Sequence, residues 1–237
     1  MQPDYESEYD ERAGQGDGGT VAGLPTYLVL DSSGSMKPFE ALLNKTLTEV
    51  VDTVYASPKV SDFIRLSIVS FNTSPHLILP MIDIAELTGL PEVTCGGMTS
   101  YGAMFELLRE RIEQDIADLS AKGVRAYRPV VFLLTDGIPS DGGTWLSSYQ
   151  ALRDPGWRPR PDIISYGFGD ASDTVLEKVS TLAAYIAKTG NEEQNKTALS
   201  EALKSVLNSL VASAEAQQIQ VPQHVEGYTS VPLVYVD

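Results

Sequence analysis

Asp31, Ser33 and Ser35 occupy alternate positions in the turn Asp31-Ser32-Ser33-Gly34-Ser35, Thr99 closes the loop Thr94-Cys95-Gly96-Gly97-Met98-Thr99, and Asp136 lies in Thr135-Asp136-Gly137. Carboxylates and hydroxyls are hard oxygen donors. Brought to one centre they suit Mg²⁺ or Mn²⁺ in near-octahedral geometry with several waters retained. Two Asp residues against a doubly charged ion leave it electrophilic at its open position, where an external carboxylate would complete the shell. Taken singly each segment is a weak signal, because Asp31 and Asp136 could each cap a helix or turn and the hydroxyls could be ordinary loop polarity. All three in order, each beside a strand end or a helix start, are a strong one.

In open α/β sheets, ligands sit beyond the carboxyl ends of the strands, so the flanking segments decide whether these donors can meet. Leu24 to Leu30 is a short aliphatic and β-branched run that stops at Asp31, which predicts a buried strand entering a loop. From Pro38 onward, Leu43, Leu47, Val50, Val51 and Val54 share one helical face, with Pro38 suited to the first turn. Phe63 to Phe71 alternates and is followed across Asn72-Thr73-Ser74-Pro75 by His76 to Leu79, the pattern of a hairpin. Met104, Leu108, Ile112 and Ile116 mark a helix after Thr99, and Val130 to Leu134 is an apolar strand ending at Thr135-Asp136-Gly137. Ile163 to Phe168 and Leu182 to Ala187 read as further strands, the latter as the last one. Leu199, Leu203, Val206, Leu207 and Leu210 define a closing helix. Strands that alternate with helices, several of them apolar throughout, predict an α/β fold: a doubly wound, mostly parallel central sheet with helices on both faces. The division expected is an acidic flexible arm over 1–23, one domain over 24–212, and a tail over 213–237 that could be an edge strand, a docking segment or disordered.

The formal charge is −15, which disfavours nucleic acid and anionic membranes, since both require clustered Lys and Arg. Within the first twenty residues Asp4, Glu6, Glu8, Asp10, Glu11 and Asp17 face only Arg12, a formal −5. Such a segment lacks the apolar side chains to offset its ordering entropy. It could instead lend a carboxylate, as could Asp237, to the metal of another copy. Cys95 is the single cysteine, the chain starts without a basic and apolar leader, and the longest aliphatic run is Val130 to Leu134, so a cytoplasmic protein is expected. The sequons at Asn44, Asn72 and Asn195 are then chance matches. His76 and His224 lie far apart, which supports neither a transition-metal site nor a Ser-His-Asp triad. Trp145, in the loop after Asp136, would anchor a partner if exposed, but packing beneath its own loop is the more economical reading, and Tyr101 divides the same way.

Asp-x-Ser-x-Ser, a later Thr and a later Thr-Asp-Gly resemble the metal-ion-dependent adhesion site of von Willebrand factor A domains, over roughly residues 24–212. The resemblance implies that Ser33 and Ser35 ligate directly through their hydroxyls. It implies that Asp31 fixes the loop and holds metal-bound water, and that Thr99 and Asp136 alternate between direct and water-mediated contact. The segments Leu24-Pro25-Thr26-Tyr27-Leu28-Val29-Leu30-Asp31 and Leu133-Leu134-Thr135-Asp136-Gly137-Ile138-Pro139 look most like bacterial stand-alone domains of the TerY type, associated with tellurium resistance and stress. Met98 departs from that pattern by standing between Gly97 and Thr99, and the zinc-ribbon-like extension of some members is missing. The function expected is an intracellular, divalent-cation-dependent protein-interaction module without enzymatic activity, binding an Asp or Glu of a partner. The alternatives are a phosphatase-like metal enzyme and a scaffold subunit with a structural metal. Ser33 argues against the first, since such phosphatases want a second acid two residues after the nucleophilic Asp.

Overall fold

The computed structural model describes residues 21–82 and 89–233. Most of the acidic arm, and Asp237, lie outside the described residues.

The first strand, β1 (Ala22–Asp31), is buried along almost its whole length. Its side chains alternate between two cores: Leu28 and Leu30 join one apolar cluster, Tyr27 and Val29 the other. Burial on both faces is what a central strand of a covered sheet requires, and it explains why the run is continuously apolar. A 3₁₀ turn (Gly34–Phe39) holds Pro38, and α1 (Glu40–Ala56) starts only after it. The expected first helical turn is therefore tighter than an α-turn.

Then come α2 (Pro58–Phe63), β2 (Ile64–Phe71) and β3 (Pro75–Leu79). The hairpin is as expected, antiparallel from Phe71↔Pro75 to Ile68↔Leu79. The alternation of β2 does not expose its second face, however: Ser67 and Ser70 are buried, and Ser67 Oγ donates to Leu79 O at 2.9 Å. The chain continues through α3 (Tyr101–Ala121), β4 (Arg125–Ala126), β5 (Val130–Thr135), α4 (Trp145–Leu152) and β6 (Asp162–Gly167). It ends with α5 (Asp173–Val179), β7 (Ala183–Ile186), α6 (Glu192–Ala216) and β8 (Thr229–Ser230).

The sheet order is β3-β2-β1-β5-β6-β7-β8, with β4 extending the pairing of β1. All neighbours run parallel except the two edge pairs, β2 with β3 and β7 with β8. The doubly wound, mostly parallel architecture is thus present. One face is covered by α1, α2 and α6 through Leu43, Leu47, Val60, Leu199 and Leu203, the other by α3 and α4 through Met104, Leu108, Ile112 and Leu152. Each such fully buried side chain contributes about 1.5 to 3 kcal/mol of transfer free energy. Leu182 to Ala187 is not the last strand. Val225 and Tyr228, beyond α6, enter the first core and lead into β8, so the segment after α6 supplies an edge strand.

Candidate metal centre

Parallel strands put their carboxyl ends on one side, and β1 and β5 are adjacent in the sheet. Asp31 at the end of β1 and Asp136 just after β5 are therefore neighbours in space, although they are far apart in the chain. Asp31 is fully buried. Its Oδ1 accepts from Ser33 N at 2.8 Å and its Oδ2 from Thr135 Oγ1 at 2.7 Å. The two bonds turn the chain sharply after β1 and aim Ser33 and Ser35 the same way. Ser33 Oγ and Ser35 Oγ are 3.1 Å apart, and Ser35 Oγ donates to Asp136 Oδ1 at 2.8 Å.

Thr99 is 7% exposed and reaches the same place from the third loop. A Cβ on Gly137 would stand 3.8 Å from Thr99 Oγ1, which places that hydroxyl beside the residue after Asp136. The loop is clamped on both sides. Gly96 N donates to Ser32 O at 2.8 Å and Gly34 N to Gly97 O at 3.0 Å, joining it to the serine turn. Thr99 N donates to Ser140 Oγ and Ser140 N to Thr99 O, both at 2.9 Å, joining it to the loop after β5. Gly97 has φ +77°, and a Cβ there would meet Thr73 Oγ1 at 2.5 Å, so glycine is required for both backbone and space.

Electrostatically the centre is acidic: among the described residues, no positive charge stands among the main influences on Asp31 or Asp136, and Asp170 adds a further negative charge near Asp136. Burial raises the Asp31 carboxyl, partly offset by its bonds from Ser33 and Thr135. Asp136 is pushed up to about 6, chiefly by burial and then by the charge of Asp31. A divalent cation would relieve both effects, because it supplies the positive charge that the cleft lacks. The donors are all oxygens, two carboxylates and three hydroxyls, and so fit a hard ion.

A model of the von Willebrand factor type A domain matches residues 27–188, more than half of the chain. The chain belongs to the von Willebrand factor type A family. No curated protein matches the sequence. Among solved structures, this vWA chain is similar to a von Willebrand factor type A protein from Catenulispora acidiphila, with 14% identity, TM-score 0.50, and coverage of 80% of this chain and 43% of that one. It is also similar to proximal thread matrix protein 1 from the mussel byssus, in a structure whose metal-ion-dependent adhesion motif is occupied by zinc. There the identity is 17%, the TM-score 0.56, and the coverage 80% of this chain and 48% of that one. The PilB minor pilin from Streptococcus sanguinis follows, at 15% identity and TM-score 0.51, with coverage of 83% and 64%. At these identities the likeness is one of fold. The vWA chain spans less than two thirds of the length of each of these relatives.

The structure brings all five expected residues, Asp31, Ser33, Ser35, Thr99 and Asp136, to the carboxyl end of the vWA sheet. Among the described residues, no cluster of three or more His, Cys, Asp or Glu could hold a metal, so a site here depends on its hydroxyls. Several supporting roles escaped the sequence reading. Thr135 holds Asp31, Thr73 Oγ1 accepts from Met98 N at 3.0 Å, and Asp141 Oδ2 accepts from Gly102 N at 2.7 Å at the start of α3. The last two act through backbone groups, which leave no residue pattern to find.

Trp145 and Tyr101 are no partner anchors. Trp145 is 5% exposed and packs edge-on against Tyr101 at 5.9 Å, under its own loop. Instead the exposed large apolar side chains of this face are Met98, 58% exposed, and Ile138, 57% exposed. Cys95 is buried, and burial first and the charge of Glu40 second push its thiol up to about 12, which makes it inert. His76 and His224 are exposed on separate parts of the surface.

Proposed function

We propose that this vWA domain is a divalent-cation-dependent protein-interaction module that binds an acidic group of a partner protein and performs no chemistry of its own. The observation that carries the reading is the convergence of two buried carboxylates and three hydroxyls on one cleft, with Ser35 Oγ bridging from the serine turn to Asp136. Ser33, Ser35, Thr99 and Asp136 would hold Mg²⁺ or Mn²⁺, with Asp31 fixing the serine turn and a metal-bound water. The bound ion supplies a Lewis-acid position for a carboxylate.

Met98 and Ile138 supply specificity. Met98 precedes Thr99, Ile138 follows Gly137, and the paired bonds between Thr99 and Ser140 tie their loops together. They flank the donors as an apolar rim, which favours an Asp or Glu that stands beside an apolar residue in the partner. The absence of turnover is supported by Ser33, which occupies the place where a phosphatase of this arrangement needs an acid. A cytoplasmic setting is supported by Cys95, buried and without a disulfide. No helix among the described residues is long and apolar enough to cross a membrane. A role in a tellurite or stress response rests on the resemblance of the Asp31 and Asp136 segments to TerY-type domains.

Calorimetric titration of Mg²⁺ and Mn²⁺ into the full chain tests the reading. Saturable binding near one ion per chain, lost in Ser33→Ala and Asp136→Asn, is expected. Binding that survives both substitutions would place the ion elsewhere and remove the proposal's basis.

A further inference from the structure

Tyr101 opens α3 and is fully buried, and its hydroxyl finds no hydrogen-bond partner among the described residues. The ring is accounted for by packing. It stands edge-on to Phe71, Phe105 and Trp145, with centroids 5.5, 5.9 and 5.9 Å away. A phenylalanine would make the same contacts without desolvating an oxygen, so packing does not explain the hydroxyl. A buried polar atom left alone carries its full desolvation cost, and a residue that keeps one calls for a role. Asp141 Oδ1 is also buried without a partner, but that carboxylate is held through its Oδ2.

The place of the hydroxyl points to that role. Phe71, against which the ring stands, is the cross-strand neighbour of Asp31. Burial holds the Tyr101 proton on well above the ordinary tyrosine range, the Thr135 side chain works against that, and the charges of Asp31, Asp136 and Asp141 add to it. The hydroxyl is thus a permanent donor beneath the metal loops. Thr135 is close enough to act on it, although no bond of ordinary geometry joins them. A hydroxyl has one proton to give and two acceptor positions. Thr135 Oγ1 gives its proton to Asp31 Oδ2 at 2.7 Å, with Gly137 O at 3.3 Å as a competing acceptor, and it accepts from Gly137 N at 3.2 Å. The described hydrogen bonds leave its second acceptor position open.

We propose that Tyr101 is a positioning residue of the metal centre: its hydroxyl donates to the open acceptor position of Thr135 Oγ1 and so commits the Thr135 proton to Asp31. A hydroxyl that accepts a hydrogen bond also donates a stronger one. The chain then runs from Tyr101 through Thr135 to Asp31, whose Oδ1 accepts from Ser33 N at 2.8 Å. It holds, from the core side, the carboxylate that shapes the serine turn. The effect on ion affinity rests on the metal reading; the hydrogen bond itself does not.

The test compares the full chain with Tyr101→Phe, which keeps the ring. In EDTA, the amide signals of Ser33 and Gly137 should shift more than those of Phe105 and Trp145, which meet only the ring. By calorimetry, Mg²⁺ should bind the variant about tenfold more weakly at unchanged stoichiometry. In a Thr135→Val background the same substitution should cost nothing further, because the acceptor is gone. Three results would overturn the proposal: amide shifts confined to the ring's neighbours, equal Mg²⁺ affinity with and without the hydroxyl, or an undiminished loss in the Thr135→Val background. If the wild type takes up no Mg²⁺, the metal reading fails by itself, and the amide signals still decide whether Tyr101 donates to Thr135.

Discussion

Asp136 is the residue on which charge, protonation and metal binding meet. In the metal-free protein its carboxyl titrates near 6 because burial and Asp31 penalise the anion, whereas an unfolded Asp titrates near 3.9. The folded form then holds the proton more tightly. The stability tied to this proton is present in full below about pH 4 and is lost as pH rises through 6, a difference of about 2 to 3 kcal/mol. Asp136→Asn imitates the protonated acid at every pH. Thermal unfolding in EDTA should therefore show that variant gaining on the wild type as pH is raised from 4 to 7, and a constant difference would mean that Asp136 is not shifted. Below pH 6 each bound ion must displace that proton, so Mg²⁺ affinity should weaken by up to about tenfold per pH unit, as calorimetry at pH 5 and pH 7 would record. A second prediction at this scale concerns Gly97. Gly97→Ala places a Cβ against Thr73 Oγ1 in a left-handed backbone, and should cost about 1 to 3 kcal/mol in denaturant unfolding. The five candidate donors could be picked out of the sequence because their types and order carry the expected chemistry. Thr73, Ser140 and Asp141 were not, because each is recruited by a backbone group whose position only the fold defines, and Thr135 meets Asp31 only because β5 lies beside β1.

The elements around the cleft act as three loops bonded into one surface. Asp141 is the clearest joint, since its Oδ2 takes Gly102 N at the start of α3 and Ser100 Oγ beside Thr99. Asp141→Ala leaves Gly102 N without its acceptor near the N-terminus of α3 and should cost about 1 to 2 kcal/mol in chemical denaturation. Mg²⁺ affinity should fall with it, because Thr99 loses its support, and unchanged affinity would mean that the loop is held by Ser140 alone. The long elements were readable beforehand for a simple reason: β1 and β5 are apolar on both faces, and α3 and α6 repeat apolar residues over several turns. The α2, α4 and α5 helices, at six to eight residues, are too short to show a period. The β8 strand has only two paired residues, and its place depends on Val225 and Tyr228 reaching the core, a tertiary event without a local signature. Trp145 illustrates the same limit, for its burial is set by Tyr101 and Phe105 on α3.

At the scale of the molecule, the metal pole and the core are energetically separable. The two large apolar clusters draw side chains from all six α-helices and from every strand except β4 and β8, and none of the five donors belongs to them. Removing the ion should therefore leave the fold in place: far-ultraviolet circular dichroism in EDTA is expected to match that of the metal-loaded protein. The ion binds only the folded arrangement, since the unfolded chain scatters Asp31, Thr99 and Asp136, so it must still raise stability by mass action. At about 100 times its dissociation constant that gain is about 2.7 kcal/mol, and it should appear as a melting temperature that climbs with Mg²⁺ concentration. The climb should vanish in Asp136→Asn while the melting transition itself remains cooperative. A protein that instead unfolds on chelation would hold its metal as a structural brace, and the open cleft ringed by Met98 and Ile138 would have no partner to receive.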